Sequence, residues 1–187
     1  ENMKSITNII VSEDLDDIFN SISQEKEFFS GSNILVTGCG GFLGYYFMHF
    51  FSRFQKELGI ENIIGVDNFL LGRPEWISTL TEKSTSLKVH AMDIADANME
   101  KIPEAEKADI IIHMASIASP TFYRKYPLET VDANIWGLRK LLDYYKNKSV
   151  RGFLFFSSSE IYGDPAPECI PINEEYRGNV STMGPRA

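Results

Sequence analysis

The chain has 187 residues, of which 43% are hydrophobic and 24% are charged, a composition typical of a globular protein with one substantial core. Lysine and arginine together number 18 against 26 acidic residues, and the net charge of −8 argues against binding to nucleic acid. No apolar run is long enough to span a membrane, and two cysteines, Cys39 and Cys169, are too few for a disulfide scaffold. We therefore expect a cytoplasmic protein that acts neither in a membrane nor on nucleic acid.

The first predicted element is a helix from Ser12 to Phe29. Ser12 is a good capping residue, and the acidic residues that follow it suit the positive end of a helix dipole. Apolar residues recur at helical spacing, namely Leu15, Ile18, Phe19 and Ile22. We predict that residues 1–31 form an N-terminal helical extension packed on the outside of the domain, with docking of a partner as the alternative.

From Asn33 onward, strand and helix patterns alternate. The predicted strands are short and apolar and cover residues 34–36, 62–66, 87–91, 108–113 and 152–156; the predicted helices cover 42–55, 74–81 and 128–147. Continuous apolar strands are typical of a parallel sheet that is covered on both faces. The pattern predicts an α/β fold with a Rossmann-like, doubly wound parallel sheet over residues 32–187.

Three glycines follow the first strand with the spacing G-x-x-G-x-x-G. Gly38 would permit a tight turn, Gly41 would let the backbone approach a pyrophosphate, and Gly44 would let helix and strand pack closely. The helix that begins there offers free N–H groups to phosphates. Asp67 ends the second strand, where a carboxylate binds a ribose 2′-hydroxyl and repels a 2′-phosphate. We predict an NAD site rather than an NADP site, with an unliganded glycine-rich turn as the alternative.

Other polar or small residues follow the third and fourth strands. Asp93 can accept a hydrogen bond from an adenine amino group or, equally, cap the next turn. Ala115 and Ser116, after His113, would leave room for a nicotinamide ribose. The histidines show no ligand spacing, so we predict no metal site.

A serine-rich motif leaves the fifth strand. Ligands of doubly wound sheets bind beyond the carboxyl ends of the strands, so this motif should face the nicotinamide end of the cleft. The hydroxyl of Ser158 could bond a sugar hydroxyl undergoing oxidation, and Glu160 could position substrate or move a proton. A serine-rich turn that merely closes the strand is the alternative.

These motifs together resemble the extended short-chain dehydrogenase/reductase family, the NAD-dependent epimerases, dehydratases and decarboxylases of nucleotide sugars. The resemblance is carried by TGCGGFLG (37–44), VDNFLLGR (66–73), MDI (92–94), HMASIASP (113–120), NIWGLRKLL (134–142) and SSSEIYGDP (157–165). Within the family, the UDP-glucuronate decarboxylases are the most similar branch, through residues 67–73, 113–120 and the tail from 163 to 187.

The resemblance implies a cofactor, a substrate class and a set of site residues. It implies NAD bound by Gly38, Gly41, Phe42, Leu43, Gly44, Asp67, Asn68, Phe69, Gly72, Asp93, Ile94, Met114, Ala115, Ser116 and Asn134. It implies catalytic roles for Ser158, Ser159 and Glu160, and a UDP-sugar as the substrate. The implied reaction oxidises the sugar at C4, releases the C5 carboxyl as carbon dioxide and reduces the ketone again. The full-length protein is expected to form a homodimer through the helix at 128–147.

Two departures from the family pattern qualify this expectation, and Ser159 is informative in the other direction. The catalytic Tyr-x-x-x-Lys pair would follow Ala187, so we expect a fragment that ends before the substrate domain and is inactive alone; Tyr144 and Lys148 match the spacing by chance on a solvated helix face. Asp132 stands where the decarboxylases carry a lysine, which leaves a 4-epimerase or 4-oxidase open. Ser159 stands where 4,6-dehydratases carry an aspartate, which argues against 4,6-dehydration. A non-catalytic NAD-binding module is the remaining alternative.

Overall fold

The structure is a computed structural model that describes residues 2–96, 98–181 and 183, with residues 2–8 described by their backbone alone. The chain forms two units, Glu1–Phe155 and Phe156–Ala187. Among the described residues, no helix has both the length and the apolar character needed to cross a membrane.

The first unit is built on a five-stranded parallel sheet. Its strands are β1 (Asn33–Thr37), β2 (Asn62–Asp67), β3 (Leu87–Ala91), β4 (Ile110–His113) and β5 (Gly152–Phe155), in the order β3-β2-β1-β4-β5. This is the Rossmann-like order that the alternating pattern predicts, and each strand lies within two residues of its predicted bounds. Because Thr37 pairs with both Val66 and His113, the carboxyl ends of the central strands meet at one edge.

The helices connect the strands and cover the sheet. They are α1 (Asn2–Ser21), α2 (Phe42–Arg53), α3 (Gln55–Leu58), α4 (Glu75–Lys83), α5 (Pro120–Lys125), α6 (Pro127–Val131) and α7 (Leu138–Tyr145). Short 3₁₀ turns occupy Lys26–Phe29, Met99–Lys101 and Pro103–Lys107 in the first unit, and Ser159–Tyr162 and Pro167–Cys169 in the second. The sequence does not predict the turns between β3 and β4.

The predicted helix over residues 12–29 is wrong at both ends. Helix α1 begins earlier, and Ser12 lies inside it, where its hydroxyl oxygen accepts a hydrogen bond from Arg53 at 2.7 Å instead of capping. The helix ends at Ser21, whose hydroxyl donates to the carbonyl oxygen of Ile18 at 2.7 Å. A serine that bonds its own backbone in this way competes with helix continuation.

The N-terminal extension contacts the rest of the first unit in two places. On α1, Phe19 stacks on Phe54 with ring centroids 4.1 Å apart, and Leu15 is buried. Farther along, the Arg151 guanidinium donates to the carbonyl oxygens of Phe28 at 3.1 Å and Ser30 at 3.0 Å. Residues of the predicted apolar face and the segment that follows it therefore pack against the first unit, while the division into extension and domain remains a prediction.

The predicted long helix at 128–147 is not a uniform α-helix. A π-helical segment, Asp132–Gly137, joins α6 to α7. Gly137 is buried there, and a Cβ at this position would lie 2.7 Å from Cγ2 of Ile94. Helix α7 also contributes Leu141 and Tyr145 to the core, and the Tyr145 hydroxyl donates to the carbonyl oxygen of Ala105 at 2.8 Å.

Candidate functional site

The glycine loop lies at the carboxyl edge of the sheet, directly after β1. Gly38 has φ +72°, and a Cβ there would lie 2.9 Å from backbone atoms of Met114 and Ala115. Gly44 is buried, and its Cβ would lie 2.5 Å from the carbonyl oxygen of Gly38. Gly44 therefore permits α2 to pack on the loop itself, rather than on the strand as the sequence suggested.

The N-terminus of α2 is open to a ligand. Gly41 is the N-cap residue, no side chain caps the helix, and its backbone carbonyl accepts the bond from Tyr45 at 2.9 Å. The N–H groups of Phe42, Leu43 and Gly44 precede this bond and have no carbonyl partner within the helix. The Phe42 and Leu43 side chains are 80% and 44% exposed. Free N–H groups at a helix N-terminus form an anion site, so this end of α2 suits a pyrophosphate.

The Asp67 carboxylate connects the glycine loop to the chain after β2. Its Oδ2 accepts a hydrogen bond from Gly40 N at 2.9 Å, and its Oδ1 accepts one from Phe69 N at 2.8 Å. Phe69 adopts φ +52°, and the Arg73 guanidinium lies 5.1 Å from the centre of its ring. Each carboxylate oxygen keeps further acceptor capacity, so Asp67 can bind ribose hydroxyls without losing these bonds.

Asp93 caps the turn that follows β3, which is one of the two roles that the sequence allows for it. Its Oδ1 accepts from Ala95 N at 2.9 Å, while its Oδ2 accepts from the Asn68 side-chain amide at 2.9 Å. Ile94, next to it, is buried against Gly137. The Ile94 side chain therefore belongs to the core, and only its backbone is left for a cofactor.

The remaining predicted cofactor residues lie on three segments. Gly72 has φ +95° in the turn after β2, where its N–H donates to Phe69 O at 2.8 Å. Met114, Ala115 and Ser116 follow β4, and Ser116 is exposed. Asn134 is exposed on the π-helical segment. No hydrogen bond connects Asn134 to the glycine loop among the described residues.

Three buried side chains near the loop were given no cofactor role from the sequence. The Thr37 hydroxyl and His113 Nδ1 are 2.7 Å apart, and burial lowers the pKa of His113 to about 4. One signal in the sequence could have pointed to Thr37. It is a polar residue at the end of an apolar strand, immediately before the glycines. Cys39 is buried beside Gly65, and burial, followed by the Asp67 charge, raises the pKa of its thiol. That thiol is protonated, in agreement with a packing role.

The second unit contains the serine motif. Ser158 is the N-cap of the 3₁₀ turn at Ser159–Tyr162, and its Oγ accepts from Glu160 N at 3.2 Å. The hydroxyl proton of Ser158 is not used by this bond. Ser158, Ser159 and Glu160 are all exposed. The stretch at 184–187, which carried part of the sequence resemblance, lies outside the described residues.

Tyr144 and Lys148, which match the Tyr-x-x-x-Lys spacing, lie at the end of α7 and in the turn after it. The Lys148 ammonium lies 4.5 Å from the centre of the Tyr144 ring, and the pKa of Tyr144 is raised by burial and by the charges of Glu106 and Glu100. A catalytic tyrosine base needs a lowered pKa. The ring is half-buried against the core, so the face is less solvated than predicted. That the pair matches the motif by chance remains a prediction.

Comparisons with known proteins point to the family that this geometry suggests. The sequence profile of the NAD dependent epimerase/dehydratase family matches residues 34–186. UDP-glucuronic acid decarboxylase 1 of Danio rerio is 36% identical over 158 residues, covering 82% of this chain and 33% of that protein. UDP-glucuronic acid decarboxylase 1 of Arabidopsis thaliana is 33% identical over 155 residues, covering 82% and 32% respectively. The chain thus spans about a third of the length of these curated relatives.

A solved structure gives the same result for the fold and cofactor. UDP-glucose 4-epimerase of Bifidobacterium longum, in complex with NAD+ and UDP, matches with a TM-score of 0.63 and 27% identity, over 79% of this chain and 43% of that one. The glycine loop, the open N-terminus of α2 and Asp67 fit the dinucleotide of such enzymes. The chain belongs to the NAD dependent epimerase/dehydratase family, and NAD is its cofactor.

Proposed function

We propose that this protein is an NAD-dependent enzyme that modifies a UDP-sugar, and that it decarboxylates UDP-glucuronate. The observation that carries the cofactor part is the open N-terminus of α2 beside Asp67. There the N–H groups of Phe42, Leu43 and Gly44 receive the pyrophosphate, and the Asp67 carboxylate accepts hydrogen bonds from the adenosine ribose. Its negative charge disfavours a 2′-phosphate, which gives preference for NAD over NADP.

The decarboxylase assignment is supported by the curated relatives. Both are UDP-glucuronic acid decarboxylases, and each is more than 30% identical to this chain. Bound NAD would supply reversible hydride acceptance from the sugar C4 carbon. Ser158 retains a hydroxyl proton that can bond the C4 oxygen, and Glu160 is proposed to orient the sugar or transfer a proton. Ser159 is the third proposed catalytic residue.

Asp132 favours a second candidate, a nucleotide-sugar 4-epimerase or 4-oxidase. The decarboxylase branch was expected to carry a cation at this position, and an aspartate there would repel a glucuronate carboxylate. A third candidate is an NAD-binding module without catalysis. The three differ in outcome: a decarboxylase converts UDP-glucuronate, an epimerase or oxidase acts on an uncharged UDP-sugar, and the module converts neither.

We also propose a division of the chain and an assembly. Residues 32–187 belong to the NAD-binding domain and residues 1–31 to an extension of it. The whole protein forms a homodimer through the helical face of α6, the π segment and α7, which exposes Leu128, Val131, Ile135 and Leu142. Apolar side chains concentrated on one helical face are typical of an interface.

The test uses the protein purified as the product of its whole gene and incubated with NAD and UDP-glucuronate. Mass spectrometry would follow the loss of carbon dioxide from the sugar nucleotide. Conversion to UDP-xylose or its 4-keto form is expected, with a matched Ser158→Ala variant slowed about 10²-fold. Absence of conversion while NAD binds by calorimetry would refute the decarboxylase proposal, and UDP-glucose would then separate the other two candidates.

A further inference from the structure

A threonine and a histidine form a buried polar pair beneath the glycine loop. Thr37 ends β1 and His113 ends β4, and the two residues pair directly in the register of the sheet. Thr37 is 0% exposed and His113 is 1% exposed. Their side chains meet at 2.7 Å between Thr37 Oγ1 and His113 Nδ1. Buried polar atoms require partners, so the direction of this bond has structural consequences.

The neighbouring backbone and the burial of the pair favour one direction of the bond. The N–H of Ala115 donates to Thr37 Oγ1 at 3.3 Å. The oxygen of Thr37 could accept a second bond, but among the described residues its hydroxyl proton has no acceptor other than His113 Nδ1, so donation to Nδ1 is the direction that leaves no buried donor without a partner. This arrangement selects the neutral imidazole tautomer that carries its proton on Nε2. Burial keeps the ring neutral, since it lowers the pKa of His113 to about 4.

The pair connects the ends of three strands. Thr37 directly precedes Gly38, and the Thr37 carbonyl oxygen accepts from Met114 N at 3.2 Å. The backbone after β4 thus bonds to both polar groups of Thr37. The imidazole of His113 also stacks on Phe155, the last residue of β5, with centroids 5.7 Å apart and planes 27° apart.

We infer that Thr37 and His113 are a positioning pair, which holds the backbone of Met114 and Ala115 against the glycine loop and so sets the geometry of the NAD site. The inference rests on the proposed placement of NAD at this loop. Neither side chain needs to touch the cofactor. The NAD site requires a hydroxyl at position 37 and a hydrogen-bond acceptor in the position of His113 Nδ1. Apolar side chains of the same volume would not maintain its geometry.

Paired variants separate the hydrogen bonds from the volume. Thr37→Val and His113→Leu remove the polar atoms, while Thr37→Ser keeps the hydroxyl and His113→Asn keeps an acceptor near Nδ1. A buried donor left without its partner costs about 1–3 kcal/mol, so we expect the first two variants to weaken NAD binding about 10-fold and the other two less than about 3-fold. Thr81→Val is the matched control, because the Thr81 hydroxyl bonds only carbonyl oxygens within α4.

Two measurements decide the inference. Calorimetric titration with NAD gives the affinities, and equal affinity of the wild type and Thr37→Val would overturn the pair's role. Nitrogen-15 NMR of labelled histidine in the wild type gives the tautomer, and a proton found on His113 Nδ1 at neutral pH would overturn it as well. This second measurement does not depend on any variant folding.

The proposed function and the inference can fail separately. A wild-type chain that binds no NAD would refute the proposed site. The positioning role of the pair would then be tested by the hydrogen-exchange rate of the Ala115 amide. Faster exchange in Thr37→Val than in Thr37→Ser supports a positioning role for the hydroxyl, and equal exchange refutes it.

Discussion

Two glycines of the loop differ in what a single added methyl group would meet, which separates folding from cofactor binding. At Gly44 the added Cβ would lie 2.5 Å from Gly38 O and from the carbonyl carbon of Cys39. At Gly41 the nearest atom is Gly38 O at 3.3 Å, and φ is −80°, which any residue adopts. Gly44→Ala therefore forces loop and helix apart, whereas Gly41→Ala fits with a small adjustment.

The cost of each substitution follows from these distances. Overpacking of this kind costs about 1–3 kcal/mol, and the better helix propensity of alanine offsets less than about 1 kcal/mol of it. A net loss of about 2 kcal/mol in the free energy of unfolding lowers the Tm of a chain of this size by about 4–8 °C. At Gly41 the change of N-cap residue costs under about 1 kcal/mol, which lowers the Tm by less than about 4 °C.

The assay is thermal unfolding by circular dichroism, followed by NAD titration at a temperature where both variants are folded. We expect Gly44→Ala to show the larger fall in Tm. Gly41→Ala should lose less than about 4 °C of Tm but lose NAD affinity, because its methyl group lies at the exposed surface where we propose that the pyrophosphate binds. A Gly44→Ala protein as stable as the wild type would refute the packing argument, and a Gly41→Ala protein with unchanged affinity would remove the loop from the site.

Three further predictions concern the cofactor, pH and the extension. Asp67→Ala should weaken NAD binding about 10-fold or more and reduce the preference for NAD over NADP, as measured by titration with each dinucleotide. An unchanged ratio of the NAD and NADP affinities would contradict the assignment of Asp67 to the ribose. Because burial places the folded-state pKa of His113 near 4, below its ordinary 6.5, the unfolded chain takes up the proton first as the pH falls. In urea unfolding, the wild type should therefore exceed His113→Asn in free energy of unfolding by the full amount above pH 6.5 and by about 2 kcal/mol less at pH 5. The same pH dependence in both proteins would contradict this. Phe19→Ala should cost about 2 kcal/mol through lost stacking on Phe54, whereas Ile9→Ala, at an exposed position, should change stability by less than about 0.5 kcal/mol.

The sheet was predictable because its strands are continuous apolar runs. Ile110, Ile111 and Ile112 are buried on both faces, and only a strand between two helical layers needs such a run. The turn and the helix start of the glycine loop were predictable for a similar local reason, since they are neighbours in sequence, and Asp67 was predictable because it ends the next strand of the alternating pattern. Local patterns were therefore sufficient wherever the interacting residues are neighbours in the chain.

What the sequence missed depends on contacts between distant residues. Ser12 does not begin α1 as predicted, because its hydroxyl instead accepts a bond from Arg53, 41 residues later in the chain. Asp93 and Asn68 are 25 residues apart, and neither residue alone shows which of two roles Asp93 takes. The Thr37–His113 bond spans 76 residues, and no motif spacing encodes it.

The Arg151 contact has a consequence for folding during synthesis. This guanidinium binds carbonyl oxygens 123 and 121 residues earlier in the chain, and it also pairs with Asp109. A ribosome adds about 5–20 residues per second, so Arg151 is synthesised on the order of ten seconds after the Phe28–Ser30 segment that it binds. Helix α1 can pack on α2 much sooner, because Arg53 follows Asp16 by only 37 residues. We therefore expect the extension to pack in two steps, an early one on α2 and a late one that coincides with the addition of β5 to the sheet.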